Sequence, residues 1–399
     1  MGTNGTPRVG VLTGSRPTRL GDTGPVTVGA QQRDSGATDG SPPLEAAGLD
    51  RLRAAVSAAL DEFLDRQSDV LAAMDATLVP LVDEVRALAA GGKRLRPAFA
   101  YWGWRGARGA QGEDEAAVLR AVAALEFVHA SALVHDDVMD GAQTRRGRPA
   151  THIGFATRHG ASRLEGDGRL FGTGAAILVG DLALVWSDEL LRRSGISAAA
   201  LGRARGVWDT MRTEVTAGQY LDLLHAAGGL PGADGALTVA RYKSAGYTVQ
   251  RPLQLGVALA GGGPELLEAC TAIGLPLGEA FQLRDDVLGV FGDPEVTGKS
   301  ADDDLREGKQ TLLVALTEQA ADAGGRALLG DVLGRATAGP DEFDALRRLM
   351  ESTGARAAVE ERITERTALA RSAIAAAPLA ADARAALDAL AAAAASRSA

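Results

Sequence analysis

Residues 118–140 carry the strongest structural signal in the chain and read VLRAVAALEFVHASALVHDDVMD. The stretch is mostly apolar until its end, where Asp136 and Asp140 stand four residues apart. In an α-helix that spacing places both carboxylates on one face. Carboxylates are costly to bury unpaired, and Mg²⁺ is a natural partner because it binds carboxylate and diphosphate oxygens together. The stretch predicts a long helix that ends in a metal and diphosphate site, although a solvated acidic helix end would show the same short motif.

A second acidic motif strengthens the first interpretation. Residues 281–289 read FQLRDDVLG, so Asp285 and Asp286 again follow an apolar helical run, 149 positions after Asp136. Two such motifs that face each other across a helical bundle could hold several Mg²⁺ ions around one diphosphate. The alternative is two unrelated acidic turns.

Basic segments alternate with the acidic motifs. GGKRLRP occupies residues 91–97 and TRRGR occupies residues 144–148. Glycine permits close backbone approach to a ligand, and guanidinium groups match the geometry of phosphate. Each basic segment alone is more typical of surface charge. Their alternation with carboxylates along an apolar helical chain instead favours a diphosphate-binding interior.

Composition limits the possible function classes. The chain has 399 residues, is 46% hydrophobic and carries a formal charge of −9, which disfavours nucleic acid as a partner. The single cysteine, Cys270, excludes an internal disulfide and suits a reducing cytoplasm. We identify no signal peptide and no apolar run of the roughly 18–20 residues that a membrane helix needs. We therefore expect a cytoplasmic protein with no transmembrane segment.

The pattern along the chain predicts two regions. Residues 1–43 are rich in Gly, Thr, Ser and Pro, and we expect a disordered tail. From residue 44 to residue 399 the apolar spacing predicts one all-α domain with a break at Pro80, and with loops at residues 158–169 and 289–308. No strand pattern is evident. The simplest architecture is a single large helical bundle with a central active-site cavity.

These motifs together resemble the trans-isoprenyl diphosphate synthases, or polyprenyl synthetases, and most closely the bacterial, particularly actinobacterial, geranylgeranyl diphosphate synthases. The resemblance runs from about residue 45 to the C-terminal region. It implies an isoprenoid-synthase-type fold and the head-to-tail condensation of isopentenyl diphosphate with dimethylallyl, geranyl or farnesyl diphosphate. It also implies a homodimer. The matching motifs are GGKRLRP (91–97), HDDVMD (135–140), RRGRPATH (145–152), GQY (218–220), YKS (242–244), FQLRDD (281–286), GK (298–299) and DLREGKQT (304–311).

The same resemblance implies roles for individual residues. Two Mg²⁺ would bind Asp136 and Asp140, supported by Asp137, and a third would bind Asp285, with Asp286 in its outer shell; Mn²⁺ would be able to substitute. The allylic diphosphate would be held by Arg145, Lys243, Ser244, Gln282, Lys299 and Lys309. Isopentenyl diphosphate would be held by Lys93, Arg96, His129 and Arg146.

One position departs from the family pattern. The second acidic motif of the family usually ends in Asp, whereas this chain has Gly289 there. We expect a weaker or water-mediated third metal. We also expect that Gly289→Asp alters activity only modestly.

Chain length of the product depends, by the same resemblance, on small or bulky side chains shortly before the first acidic motif. Ser131 and Ala132 are small and should let the growing chain pass. Phe127, beside Val128, lies about one helical turn deeper and is the predicted floor, which favours the twenty-carbon geranylgeranyl product. If Phe127 faces the core instead, the floor lies deeper and products are longer.

Several alternatives remain open at the level of sequence. A farnesyl or longer-chain synthase would share the same motifs. A terpene cyclase would need a different late metal motif and no second diphosphate site, and a head-to-head synthase would carry paired DxxxD motifs. A non-catalytic subunit of a heteromeric synthase would be expected to have lost the first acidic motif, which is intact here.

Overall fold

The computed structural model describes residues 44–107, 112–293 and 301–395. The first ten α-helices are α1 (Leu44–Met74), α2 (Val79–Ala89), α3 (Leu95–Gly106), α4 (Glu115–Asp140), α5 (Thr151–Ala161), α6 (Gly168–Arg193), α7 (Ala198–Ala226), α8 (Gly232–Val239), α9 (Arg251–Ala260) and α10 (Pro264–Phe291). Later come α11 (Asp303–Glu307), α12 (Leu312–Ala320), α13 (Ala323–Val332), α14 (Pro340–Ser352), α15 (Ala355–Ala376) and α16 (Ala381–Ala395). A short 3₁₀ helix (Ala76–Leu78) precedes α2, and a π-helix (Ala240–Gln250) joins α8 to α9. The all-α fold class is confirmed.

Helix α4 is the central helix of the bundle. The Asp114 carboxylate caps its first turn by accepting a hydrogen bond from the Ala117 amide at 3.2 Å, and Gly141 ends the helix with φ of +66°. Most of its side chains are buried, and it packs against α1, α3 and α6. The apolar run identified in the sequence is therefore a core helix that carries the first acidic motif at its C-terminal end.

The buried side chains form two clusters. The larger one surrounds α4 and takes side chains from α1–α3, α6, α7, α9, the first half of α10 and the ends of α15 and α16. The smaller one joins the second half of α10 to helices α11–α15. Helix α10 thus spans both clusters, and the second acidic motif lies in its last two turns.

The two predicted loops are wrong in their extent. Helix α5 continues to Ala161 and α6 begins at Gly168, so the connection is only residues 162–167. His159, which we had assigned to the loop, is buried, and the Asp167 side chain caps α6 by accepting from the Arg169 amide at 2.8 Å. Within the predicted loop at 289–308, the described residues also include the end of α10 and the short helix α11.

Two helices meet the length and hydropathy expected of a membrane span, α4 and α6. The apolar window of α4 is 72% buried inside the protein, which is typical of a core helix, whereas that of α6 is 39% buried. The described residues from 44 to 395 belong to one compact unit. The predicted tail at residues 1–43 lies outside the described residues.

Candidate active site

The first acidic motif occupies the last turn of α4. Asp136 and Asp140 are both partly buried and lie on one face of the helix, as their spacing predicts. Burial, together with the neighbouring Asp136 carboxylate, raises the pKa of Asp140 to about 7. The C-terminal end of a helix carries partial negative charge and favours cations. This end of α4 therefore concentrates negative potential that positive groups must offset.

Lys243 supplies one of those positive groups. Its Nζ donates to Asp136 Oδ1 at 2.8 Å and also pairs with Asp222 on α7. Gln219 Nε2 donates to the same Asp136 oxygen at 2.9 Å. Burial alone would raise the pKa of Asp136, but Lys243 and Gln219 outweigh burial and lower the pKa. Asp136 is therefore held as a carboxylate.

Lys243 reaches Asp136 from a π-helix. The wider turn of residues Ala240–Gln250 is a rare conformation that recurs at functional sites. Gly218 of α7 makes close packing possible, because a Cβ at Gly218 would lie 2.4 Å from the Lys243 backbone nitrogen. Any larger side chain would separate α7 from the π-helix, and with it Gln219 from Lys243.

A tight hairpin places two consecutive arginines in different surroundings. Strands β1 (Thr144–Arg145) and β2 (Arg148–Pro149) pair antiparallel, and Arg146 and Gly147 at the turn both have positive φ, as a type I′ turn requires. Arg145 Nε donates to the buried Asp137 at 2.8 Å. Arg146 instead donates to the carbonyl oxygens of Leu88 and Ala90, at 3.1 and 3.0 Å. Asp137 thus orients Arg145 beside Asp136, and Arg146 lies at the C-terminus of α2.

A second cationic pocket forms around Tyr247. Arg96 Nη2 donates to Tyr247 Oη at 2.7 Å and to Thr248 Oγ1 at 3.1 Å, and its guanidinium lies 4.4 Å from the centre of the Tyr247 ring. His129 Nδ1 is 3.2 Å from the same Tyr247 oxygen. Burial, with Arg96 and Arg146 nearby, lowers the pKa of His129 well below its usual value. His129 is therefore neutral beside two permanent cations.

The three cations of the GGKRLRP segment lie in different surroundings. Gly91, Gly92 and Arg94 have positive φ, which turns the chain sharply before α3. Arg94 is 4% exposed and pairs with the buried Glu126 at 2.6 Å, so this cation belongs to the core. Lys93 is exposed, whereas Arg96 lies in the Tyr247 pocket.

The second acidic motif lies at the C-terminal end of α10. Gln282 Nε2 donates to Asp286 Oδ1 at 2.8 Å, and burial, with Asp285 and Asp304 nearby, raises the pKa of Asp286 to about 7. Asp285 is exposed. The Arg284 side chain pairs instead with Glu360 of α15, through its two terminal guanidinium nitrogens, at 2.7 Å each.

Lys309 connects the two acidic motifs electrostatically. Its Nζ pairs with Asp304 at 2.8 Å and with Glu307 at 3.1 Å. Its charge also acts to lower the pKa values of Asp140 in the first motif and Asp286 in the second. The segment around α11 therefore lies within electrostatic range of both motifs.

The expectation that Gly289→Asp alters activity only modestly stays a prediction, but the structure supplies a steric argument against it. A Cβ at Gly289 would lie 1.8 Å from Asp304 Oδ2. Asp304 is a short side chain held by Lys309, so it cannot move aside freely. Gly289 therefore has a packing role that its place in the motif does not reveal.

The remaining predicted residues fall into three groups. Ser244 is partly buried beside Lys243 on the π-helix, and Lys299 lies outside the described residues. Phe127, Val128 and Ser131 are buried, and Ala132 is partly buried. The Phe127 ring packs against Phe63 of α1, with centroids 5.4 Å apart, and Phe63 packs against Trp186 of α6 at 6.3 Å.

Sequence reasoning missed several residues of the site. Tyr247 and Thr248 lie within one turn of the YKS motif, and Gln219 lies within the GQY motif, so the motifs pointed to their helices but not to their roles. Asp304 begins the DLREGKQT motif, which pointed to this segment but not to a role for Asp304. Asp222 had no separate signal, because aspartates near basic residues are common on surfaces.

The donor set suits a hard divalent cation that is shared with a substrate. Both motifs offer carboxylate oxygens, and the raised pKa values of Asp140 and Asp286 reflect buried negative charge that a cation would offset. In the part of the chain that the structure describes, no three His, Cys, Asp or Glu side chains form a preorganised metal centre. Mg²⁺ commonly binds through one or two carboxylates, waters and substrate phosphates, which fits this arrangement.

Comparison with known proteins gives consistent matches. The family model for polyprenyl synthetase matches residues 81–350. A geranylfarnesyl diphosphate synthase from Aeropyrum pernix is 33% identical over 67% of this chain and 77% of its own length. A geranylgeranyl diphosphate synthase from Methanosarcina mazei is 31% identical over 74% of this chain and 85% of its own length. The crystal structure of geranylgeranyl pyrophosphate synthase from Corynebacterium glutamicum, complexed with isoprenyl diphosphate and magnesium, has 40% identity and a TM-score of 0.85 over 88% of this chain and 99% of its own.

We predict that Gly218→Ala disrupts the site although it adds one methyl group. The new Cβ would displace the Lys243 backbone and weaken the Lys243–Asp136 ion pair. Calorimetry should show at least about tenfold weaker pyrophosphate binding in the presence of Mg²⁺, because loss of one hydrogen bond to a charged group costs about 1.5–3 kcal/mol. Gly206→Ala, on the same helix with open space around it, is the matched control and should bind as the wild type does. Unchanged binding in Gly218→Ala would contradict this packing role.

Proposed function

The chain belongs to the polyprenyl synthetase family, and from that premise we propose that it condenses isopentenyl diphosphate with allylic diphosphates, head to tail. The product is a short-chain all-trans prenyl diphosphate, chiefly geranylgeranyl diphosphate. The observation that carries the proposal is the pair of distinct cationic pockets beside the first acidic motif. A condensation of two diphosphates needs two such pockets, whereas cyclisation of one diphosphate needs one.

The two pockets differ in their access to carboxylates. Lys243 and Arg145 lie against Asp136 and Asp137, where a metal-bound allylic diphosphate would accept their hydrogen bonds. Arg96 and the neutral His129 meet at Tyr247, and Arg146 contributes to the same positive potential. We assign this second pocket, together with the exposed Lys93, to isopentenyl diphosphate, which keeps its diphosphate through the reaction.

Asp136, Asp140, Asp285 and Asp286 would hold Mg²⁺, with three ions expected per site. When bound, these ions act as Lewis acids that stabilise the departing pyrophosphate. We assign Lys309, Gln282 and Ser244 to the outer oxygens of the same diphosphate, and Lys299 is assigned with them from the sequence.

The reaction follows from charge separation. The C–O bond of the allylic substrate breaks, pyrophosphate leaves, and Lys243 and Arg145 offset its negative charge. The double bond of isopentenyl diphosphate then attacks the allylic cation, and a proton passes to the released pyrophosphate. The apolar face of α4 behind Asp136 excludes water, which would otherwise trap the cation. We assign no protein group as the general base.

The decisive test is the assay of the purified chain alone. With isopentenyl and dimethylallyl diphosphates and Mg²⁺, we expect prenyl diphosphate formation that chelation by EDTA abolishes and Mn²⁺ restores. Asp136→Ala should lower kcat by about 100-fold or more, because it removes charge stabilisation that the transition state needs. Asp61→Ala, an exposed carboxylate on α1, is the control. An inactive wild-type chain would favour the non-catalytic subunit, and activity in EDTA would contradict metal dependence.

Product length is set, in this proposal, by the aromatic group of Phe127, Phe63 and Trp186. Phe127 lies nine residues before Asp136 on α4 and is fully buried against Phe63. Ser131 and Ala132 lie between Phe127 and the acidic motif, and their small side chains would let the growing chain pass. Phe127 thus faces the core, the arrangement for which the sequence left a deeper floor and longer products open. The twenty-carbon product is supported instead by the likeness to geranylgeranyl diphosphate synthases, and the floor at Phe127 requires the growing chain to reach its ring.

We predict opposite shifts from two substitutions near this floor. Ser131→Phe should shorten the main product to farnesyl diphosphate by narrowing the path one turn earlier. Phe127→Ala should give products longer than geranylgeranyl diphosphate by opening space beneath the floor. Chromatography of the dephosphorylated products measures both shifts. Identical chain lengths in wild type and both variants would refute this tunnel while leaving the condensation activity intact.

We further propose a cytoplasmic homodimer that pairs through α6. Leu170, Leu178 and Val185 on this helix are large apolar side chains that are 57–72% exposed. Exposed apolar side chains repeated along one helix are typical of a protein interface. Val185→Glu should therefore halve the molar mass measured by light scattering after size exclusion, whereas Arg169→Gln, at an exposed position on the opposite face of α6, should not. A monomeric wild-type chain would contradict this proposal.

A further inference from the structure

The substituted position in the second acidic motif is covered by a carboxylate from another part of the chain. Gly289 stands four residues after Asp285, so the two positions share one face of α10. Asp304 Oδ2 lies 1.8 Å from the point where a Cβ on Gly289 would stand. A carboxylate is therefore present one turn beyond Asp285, although the helix itself does not supply it.

The Asp304 side chain is held in place from several directions. Its Oδ1 accepts from Lys309 Nζ at 2.8 Å, and its backbone carbonyl accepts from the Lys309 amide at 3.1 Å. Leu305, the next residue, is 1% exposed and anchors α11 in the smaller core cluster. Gly308 ends α11 with φ of +74°, which returns the chain to Lys309. Asp304 thus has a fixed position over Gly289.

We propose that Asp304 replaces the third carboxylate of the second acidic motif and binds, with Asp285, the divalent cation assigned to that motif. This inference rests on the proposed function, because that function requires the cation. Gly289 is small so that Asp304 can occupy the helix face. Lys309 orients Asp304 and then holds the diphosphate that shares the cation.

A simpler role for Asp304 would be to position Lys309 alone. The two roles differ in their effect on metal binding, which can be measured without turnover. Mn²⁺ titrated in the presence of inorganic pyrophosphate, and followed by electron paramagnetic resonance, gives the number of ions bound per chain. Circular dichroism and melting temperature establish that each variant is folded.

Asp304→Asn keeps an oxygen that can accept from Lys309 but removes the charge. We expect this variant to bind one Mn²⁺ fewer per chain than the wild type, or to bind that ion at least about tenfold more weakly. Asp303→Asn is the matched control, because the adjacent Asp303 pairs with Arg306 at 2.9 Å and should leave Mn²⁺ binding unchanged. Wild-type stoichiometry and affinity in Asp304→Asn would overturn the proposal.

Moving the carboxylate from position 304 to position 289 provides an independent test. Gly289→Asp alone places two carboxylates in one space and should weaken Mn²⁺ binding, as should Asp304→Ala alone. The double variant Gly289→Asp with Asp304→Ala returns the carboxylate to the helix and should recover the lost ion. If both single variants are folded and the double variant recovers nothing, the proposal fails.

These results are separable from the proposed function. Product formation by the wild-type chain tests the condensation, whatever the number of ions. If the wild type is active and Asp304→Asn binds Mn²⁺ normally, only the role of Asp304 is refuted. If the wild type forms no product, the proposed function is refuted even where Mn²⁺ binding depends on Asp304.

Discussion

The repulsion between buried carboxylates is the constraint on which the rest of the site depends. Asp136 and Asp140 stand at the negative end of a helix that is otherwise core, and isolated charges there would be strongly destabilising. Three separate elements supply cations that offset this negative charge. They are Lys243 from the π-helix, Arg145 from the hairpin and Lys309 from the segment after α11. In the proposed function, the same residues that stabilise the folded chain would also receive a diphosphate and its metal ions.

Close helix packing converts this charge balance into a defined geometry. Gly218 lets α7 approach the π-helix, so that Gln219 and Lys243 both reach one oxygen of Asp136. Gly289 has a similar packing role on α10, because the Asp304 carboxylate lies where a side chain at this position would stand. At both positions a methyl group would meet an atom that helps to build the site, so these glycines belong to the function as much as the charged residues do.

The separation of two cationic pockets also has a physical basis. Arg96, His129 and Tyr247 meet where burial and neighbouring guanidinium groups keep the imidazole neutral. The pocket at Tyr247 offers a diphosphate hydrogen bonds and permanent charge, whereas the carboxylates at Asp136 suit a diphosphate that binds together with metal ions. In the proposed reaction, the pocket at Tyr247 would hold the diphosphate that stays and the pocket at Asp136 the diphosphate that leaves.

The sequence by itself determined the all-α class, the acidic motif at the end of α4 and the family, because helix periodicity and short motif spacing are local properties of the chain. Through the family motifs it also predicted Arg96, His129 and Lys243 for the candidate site. It did not predict Tyr247, which contacts Arg96 and His129, or Gln219, which shares one Asp136 oxygen with Lys243. Only the tertiary structure decided that Arg94 is a core ion pair while Arg96 lies in the candidate site, since Arg94 precedes α3 in a left-handed conformation and Arg96 lies within the helix. Only the tertiary structure placed Asp304 over Gly289, because contacts between residues fifteen positions apart depend on how the intervening chain returns to the helix.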